Sequence, residues 1–240
     1  MNREANTQQW YQGYYDRRGA DRNDLRANHG VLFQTLAAEA SVVRAIRAIK
    51  HDLQTARILD VGCGGGADIY ELVRLRYSHR NITGIDIRSE CVAEAKQLWP
   101  QVCFIQGDAS QMEFEDGCFD LVFESTMFAT LPDDVLSAGI AAEMVRVCKP
   151  GGYLLLRDWR TPKPRDANYK ALTKARLRKL FAVGRDTRVV GIHKGALVPP
   201  VGRFLSARLP SVYFLVAALL PMLVGQVSYL LQKSEQNTST

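Results

Sequence analysis

Four carboxylates in this sequence stand at or just past the ends of short apolar runs, each beside small or apolar residues. Asp60 lies in the run 57–61 and heads Asp60-Val61-Gly62-Cys63-Gly64-Gly65-Gly66. Asp86 lies near the end of 81–87, Asp108 follows 102–106 between Gly107 and Ala109, and Glu124 ends 119–124. A glycine hinge after a buried strand lets the chain turn through positive φ and leaves backbone bare for a ligand. The helical pattern that begins at Ile69 adds unpaired N–H groups and a partial positive charge. A carboxylate at the tip of the second strand can accept two hydrogen bonds from a ribose diol, and Asp86 stands there. The spacing reads two ways. Gly62, Gly64 and Ala67 fit the dinucleotide fingerprint G-x-G-x-x-G/A, which keeps a nicotinamide cofactor open, while Asp60, Gly62, Gly64 and Gly66 read D-x-G-x-G-x-G.

Groups able to move a proton or hold a second ligand lie elsewhere. His193 follows a predicted strand and titrates near neutrality. Asp158 ends another strand, and Tyr14 shares one side of a predicted helix with Trp10, Tyr11 and Tyr15. His193, Asp158 and Tyr14 are the candidate catalytic residues, with His29 a further candidate base. Tyr15, Arg157, Trp159 and Arg160 are candidate contacts to the second ligand, the arginines suiting an acidic or phosphorylated group. The aromatic helix reads either as core packing or as a lid over a small ligand. No metal is expected, because no histidine or carboxylate cluster has ligand spacing and the five cysteines stand singly. Such thiols suit a reducing cytoplasm, and the polar start Met1-Asn2-Arg3-Glu4 has no apolar signal core, so a cytoplasmic location is expected.

The elements that must position these groups follow from periodicity. Strands are predicted at 57–61, 81–87, 102–106, 119–124, 153–158, 188–193 and 226–232. Ser89 is the expected cap of a helix to Leu98, Asp133 begins another to Val147, and Lys149-Pro150-Gly151-Gly152 fits a type II turn. Five strand-then-helix steps imply a parallel sheet with ligands above the strand C-termini. A helix at 31–50 carries Leu32, Leu36, Ala40, Val43 and Arg47 on one side, and a basic helix covers 168–183. No charge falls between Leu209 and Leu231, a length that could cross a bilayer, but Pro210, Pro221 and Gly225 interrupt it. The preferred reading is a buried helix at 204–223 followed by the last strand; the second is peripheral membrane contact beside a basic stretch. The expected organisation is an N-terminal helical lid at 1–50 and a ligand-binding domain at 51–240, with 163–223 as a cap on the acceptor side.

Five stations fall in order: the glycine loop, Gly84-Ile85-Asp86, Gly107-Asp108-Ala109, Phe119-Asp120-Leu121-Val122, and the Lys149-Pro150-Gly151-Gly152 turn. Together, over about 55–160, they resemble the class I, Rossmann-like methyltransferases that use S-adenosylmethionine (SAM). The resemblance implies an α/β fold with a doubly wound, mostly parallel seven-stranded sheet whose last strand, 226–232, is antiparallel. It also implies SAM as cofactor and S-adenosylhomocysteine (SAH) as product. By it, the loop of Asp60, Gly62, Gly64 and Gly66 passes under the methionine moiety and Asp86 holds the ribose. Ile87 and Met112 would sandwich the adenine, Asp108 with the Ala109 backbone would face its amino group, and Glu124 with Ser125 would border the methyl donor. SAM carries an amino acid where a dinucleotide carries a pyrophosphate, so backbone and carboxylates suit it better than an arginine clamp.

The net charge of +6 permits an acidic partner without demanding one. Much of the excess lies between Lys163 and Arg188, where a solvated helix face is a simpler account than a nucleic-acid track. No nucleic-acid partner is therefore expected; an RNA acceptor and a nicotinamide-dependent oxidoreductase are the weaker alternatives. After the fourth strand the chain is mostly uncharged, 124–131, and lacks the Asn-Pro-Pro-aromatic signature of the family's amino-methylating enzymes. The expected activity is methyl transfer to a hydroxyl of a small molecule, with a sugar or glycan end favoured. That preference rests on the tail at 195–203, which is similar to bacterial methyltransferases of surface-glycan or natural-product clusters. A lipid-like or polyketide acceptor is the alternative.

Overall fold

A computed structural model of the chain describes residues 24–131, 133–163, 166 and 169–235. Its seven strands are β1 (Ile58–Val61), β2 (Ile82–Asp86), β3 (Cys103–Gln106), β4 (Phe119–Ser125), β5 (Cys148–Trp159), β6 (Thr187–Lys194) and β7 (Gln226–Lys233). They form one sheet in the order β3-β2-β1-β4-β5-β7-β6. The first five pair in parallel, and β7 enters between β5 and β6 antiparallel to both. This is the α/β sheet expected from the sequence, antiparallel β7 included.

Strand alternation assigns each side chain to a face. Ile58, Leu121, Phe123, Leu155 and Leu230 pack on one side with helices α1 (Leu32–Ile46), α2 (Ala67–Arg74) and α3 (Ser89–Leu98). Leu59, Val61, Val122, Leu154, Leu156 and Leu231 pack on the other with α4 (Asp134–Val147), α5 (Lys174–Leu180), α6 (Pro199–Arg208) and α7 (Tyr213–Leu219). Both faces are covered, which is why the centre of β5 reads as an unbroken apolar run and β1 is buried along its whole length, Asp60 included. The same parity puts Asp60, Asp86, Ser125 and Arg157 on the α2 side, and Glu124 and Asp158 on the α4 side.

Several expectations need correction. Ser89 does not cap its helix: the N-cap is Arg88, whose N–H donates to Asp86 Oδ1 instead. No helix lies between β3 and β4, where 107–118 is a loop, so the strand-then-helix alternation is not unbroken. The Lys149–Gly152 turn is a bulge inside β5, with Gly151 at φ 73°. The basic helix is only α5, because the chain before it runs along β5, Lys170 N–H donating to Ala129 O and Leu172 N–H to Trp159 O. On α1 the buried face is Ala37, Ala38, Ser41, Val42, Ala45 and Ile46, while Leu32 and Leu36 are exposed. Small residues let α1 approach the sheet closely enough for Ser41 and Ser228 to share a hydrogen bond at 2.7 Å. The predicted helix at 204–223 is instead α6, a 3₁₀ turn, α7 and a second 3₁₀ turn, broken at Pro210 and Pro221, and much of its outer side is exposed.

The predicted cap at 163–223 thus contributes a sheet strand, β6, as well as α5 to α7. The described part of the predicted lid, 24–50, is dominated by α1, which packs on the β5–β7–β6 edge. A buried polar triangle ties α1 to the tail. Tyr213 Oη donates to Gln34 Oε1 and accepts from Leu197 N–H at 3.1 Å, and Gln34 Nε2 donates to Leu197 O at 3.1 Å. Tyr213→Phe removes one corner and leaves two buried groups short of a partner, which should destabilise the protein by about 1–3 kcal/mol. Denaturant unfolding checks this as a lower midpoint at unchanged slope; an unmoved midpoint would mean that the triangle contributes nothing.

Candidate functional site

The carboxyl ends of β1, β2 and β4 form a common rim. Beyond β1, Gly62, Gly64 and Gly66 all hold left-handed φ angles, 71°, 53° and 79°, which accounts for the alternation of glycine in this loop. Gly62 and Cys63 donate their N–H groups to Ile85 O at 2.8 and 3.1 Å, binding the loop to β2. A Cβ on Gly62 would approach Met127 Sδ to 3.0 Å, whereas one on Gly64 would meet nothing within 4 Å, leaving that backbone open. Asp86 Oδ2 accepts from Gly64 N–H and Oδ1 from Arg88 N–H, both at 2.9 Å. One carboxylate therefore sets the loop and faces the space beside it.

Two cavities open on this rim. The smaller, about 80 Å³, is lined among others by Gly62, Asp86, Ile87, Asp108, Ala109 and Leu131. The larger, about 550 Å³, has Tyr70, Glu71, Arg157, Trp159, Tyr169 and Pro199 in its wall. Ser125, Thr126 and Thr130 line both, so the two spaces meet just past β4. At that junction Thr126 holds φ 59°, a left-handed angle unusual for a β-branched residue, fixed by its N–H bond to Arg157 O at 2.8 Å. Strain of this kind collects where a ligand must be positioned.

The rim carries more buried acid than base. Arg157 is buried and donates to Glu71 Oε2 at 2.6 Å, to Asp68, and to Ser125 Oγ at 3.0 and 2.9 Å. Burial works against its charge, but Asp68 and Glu71 more than offset this and hold its pKa above the ordinary value. Glu71 is pushed up to about 7 by burial, with Arg157 opposing. Asp60 is buried with neither oxygen partnered, and burial, reinforced by Asp68, raises its pKa well above the carboxylate range. On the opposite face Glu124 is raised by burial and by Asp158, while its Oε2 accepts from Met127 N–H at 3.1 Å.

Of the residues expected from sequence, Gly62, Asp86, Ile87, Asp108 and Ala109 meet at the smaller cavity, and Arg157 and Trp159 at the larger. Asp60 and Glu124 lie buried directly behind. Met112 does not join them: it is in the core, its N–H held by Glu143 Oε2 at 2.7 Å. Asp158 lines neither cavity; it accepts from Ala129 and Trp159 N–H groups at 2.8 and 2.6 Å and so secures the turn after β4. Arg160 is held by the carbonyls of Val224 and Pro221, and His193 lies on β6 near Arg44, outside both cavity walls, its pKa lowered by burial and by that arginine. Tyr14 and Tyr15 lie outside the described residues. Asp68, Glu71 and Thr126 were not foreseen; the Asp68/Glu71 spacing on one helix face was the available signal. Within the described part of the basic stretch Lys170 pairs with Asp134, Arg185 with Asp186, and Arg176 donates to the carbonyls of Phe128 and Lys170.

Residues 58–152 match a family model described as a methyltransferase domain. A 2-methyl-6-phytyl-1,4-hydroquinone methyltransferase from Synechocystis is 36% identical over 127 residues, 52% of this chain and 38% of its own length. A phthiotriol/phenolphthiotriol dimycocerosates methyltransferase from Mycobacterium ulcerans is 33% identical over 149 residues, 60% of this chain and 53% of its own. A sterol 24-C-methyltransferase from Yarrowia lipolytica is 35% identical over 109 residues, 43% of this chain and 27% of its own. The chain thus spans only about a quarter to a half of the length of these relatives. A solved SAM-dependent methyltransferase from Methanosarcina mazei shares the fold, with a TM-score of 0.58 at 20% identity over 81% of this chain and 98% of that one.

Raised carboxyl pKa values have a consequence for stability. Between the ordinary values of 3.8 and 4.5 and the raised value of about 7 for Asp158 and Glu71, the folded protein holds protons that the unfolded chain has released. Stability from these groups therefore falls as pH rises through that window. The lowered pKa values of His51 and His193 act the other way in this window, but four buried carboxyls, Asp60, Glu71, Glu124 and Asp158, outweigh two partly buried imidazoles. The unliganded protein should melt higher at about pH 5.5 than at about pH 8, and Asp60→Asn should raise the melting temperature at the higher pH. A melting temperature that climbs with pH across the window, read by scanning calorimetry, would contradict this electrostatic account.

Proposed function

With its residues 58–152 the chain belongs to the class I SAM-dependent methyltransferase family, and from that premise we propose that it transfers a methyl group to a small, lipid-like acceptor in the larger cavity. The observation that carries this is the buried Asp60 carboxyl, without a hydrogen-bond partner, in a glycine loop whose Gly64 backbone is open, and among further acids. A buried carboxylate without a cation is costly, and the amino acid end of SAM brings an ammonium group. The pyrophosphate of a dinucleotide would bring more negative charge to the same acids. The residues present fit SAM and disfavour the nicotinamide reading.

When bound, SAM supplies a methyl group on a positively charged sulfur. The chain's own residues align and shield. Asp86 is suited to the ribose diol, Asp108 with the Ala109 backbone to the adenine amino group, and Ile87 to the ring face. Thr126 and Ser125, shared by both cavities, border the point where donor and acceptor meet. Tyr70, Trp159, Tyr169 and Pro199 give the acceptor space an aromatic and apolar part of its wall, beside the charged Glu39, Arg157, Lys163 and Arg203. For an acceptor that must lose a proton, we assign Glu71, which lines that space with Oε1 unpartnered and a pKa of about 7.

The lipid-like acceptor is favoured over the sugar hydroxyl expected from the tail at 195–203, because Ala196 and Pro199 enter the cavity wall as apolar surface. The named substrates of the relatives, a phytyl hydroquinone, a sterol and phthiotriol dimycocerosates, are consistent with this. The atom that receives the methyl group is read from the product. Labelled SAM should transfer its methyl group to material in the organic phase of a cell extract; label found only in the aqueous phase would return the sugar reading.

Three measurements test the assigned residues. SAH binding should release protons, seen as a calorimetric heat that depends on buffer ionisation, and should weaken as pH falls, since the bound ammonium favours ionised Asp60. Asp86→Ala should weaken SAH binding by about 1.5–3 kcal/mol, and an unchanged affinity would remove Asp86 from the site. Glu71→Gln should slow turnover ~10²-fold with SAH affinity nearly intact, while His193→Ala, outside both cavities, should leave turnover unchanged. The opposite pattern in the last pair would move the proton acceptor to β6.

A further inference from the structure

The segment 199–223 is explained by the site only on its inner side. Leu205 and Tyr213 sit in the core, and Pro199 and Arg203 line the larger cavity. Its outer side carries Phe204, Leu209, Leu215, Leu219, Leu220 and Met222, all exposed, Leu219 at 69% and Met222 at 79%. Single apolar residues are ordinary on a surface, but so many on two successive helices and their connecting turns form a patch. Val212, Val216, Ala217 and Leu223 pack inward, so the outward residues are not awaiting a place in the core.

We propose that this face docks on an anionic lipid surface and admits the acceptor from it into the larger cavity. Charge points to that occupant. No Asp or Glu occurs between Asp186 and Glu235, and three cations of that stretch, Lys194, Arg203 and Arg208, lie at the Gln226 end of β7 where 199–223 joins the sheet, with Arg208 exposed next to Leu209. Position agrees, because α6 turns Phe204 outward while its Pro199 and Arg203 face the cavity, so the patch borders the cavity wall. Among the described residues no helix is long and apolar enough to cross a membrane. Short apolar helices flanked by arginine lie in the headgroup boundary instead, held by buried apolar area and attraction to anionic lipid. Delivery of the acceptor rests on the lipid-like reading above; the docking itself does not.

The test is flotation of the purified chain with phosphatidylcholine vesicles, with and without phosphatidylglycerol, beside SAH calorimetry. The wild type should float with the anionic vesicles, less with phosphatidylcholine alone, and less as salt rises. Leu215→Glu with Leu219→Glu should cut vesicle partitioning by about a hundredfold, tenfold for each side chain withdrawn, and leave SAH affinity within about twofold. A wild type that stays in the aqueous fraction at low salt would overturn the proposal. So would a wild-type dimer that the double variant converts to monomer without any vesicle binding, since the patch would then be a subunit interface. Flotation together with label confined to water-soluble product would leave docking standing and remove the lipid-like acceptor.

Discussion

Among the described residues Arg157 is the cation that Asp68 and Glu71 share at the start of α2, and the rest of the site is arranged around the excess of acid there. Its guanidinium reaches from β5 to Glu71 and Asp68 on α2, with Ser125 on β4 taking two of its N–H groups. The network therefore fixes the helix that begins at the glycine loop against the strand that borders the acceptor space. Replacing Arg157 alone would leave two acids stranded at low dielectric, which is far more damaging than losing a surface pair. Asp60 lies just outside the guanidinium's reach and remains unmatched.

Adjacent residues on the strand ends divide the work by parity. Arg157 turns toward α2 and the cavity, whereas Asp158 turns toward α4 and pins the turn at 128–130 through Ala129 N–H. Glu124 and Ser125 divide in the same way. This alternation was legible in the sequence once the strands were located, and so were the glycine loop, Asp86, Asp108 and the antiparallel last strand. Each depends on local chemistry, such as a left-handed turn, a strand tip or an apolar run bounded by breakers.

What could not be read depended on contacts between distant segments. Asp60 and Asp120 look alike in sequence, both acids in short apolar runs. The structure separates them, because Asp120 accepts from Arg57 N–H at 2.8 Å and Lys149 Nζ at 2.7 Å, while Asp60 has neither kind of neighbour. The two faces of α1 were similarly ambiguous. Hydrophobicity pointed to Leu32 and Leu36, but close approach to β7 selected the alanines and Ser41. Asp158 carries the residue type of an acid–base catalyst and spends both oxygens on backbone amides, a use that needs the fold to be seen.

The segment at 199–223 shows how backbone chemistry can decide what hydrophobicity leaves open. An uninterrupted apolar helix could roll until its widest apolar stripe met the sheet. Pro210 and Pro221 each remove a backbone donor and divide the segment into short pieces whose orientations are set separately. Tyr213, tied to Gln34 and Leu197, fixes the start of α7 with its one fully buried aromatic ring inward. Leu215 and Leu219 are then held outward by the same anchor, four residues apart on one helix face. The exposure follows from polar fixing on the inside, so the apolar face is held in place by hydrogen bonds it does not itself make.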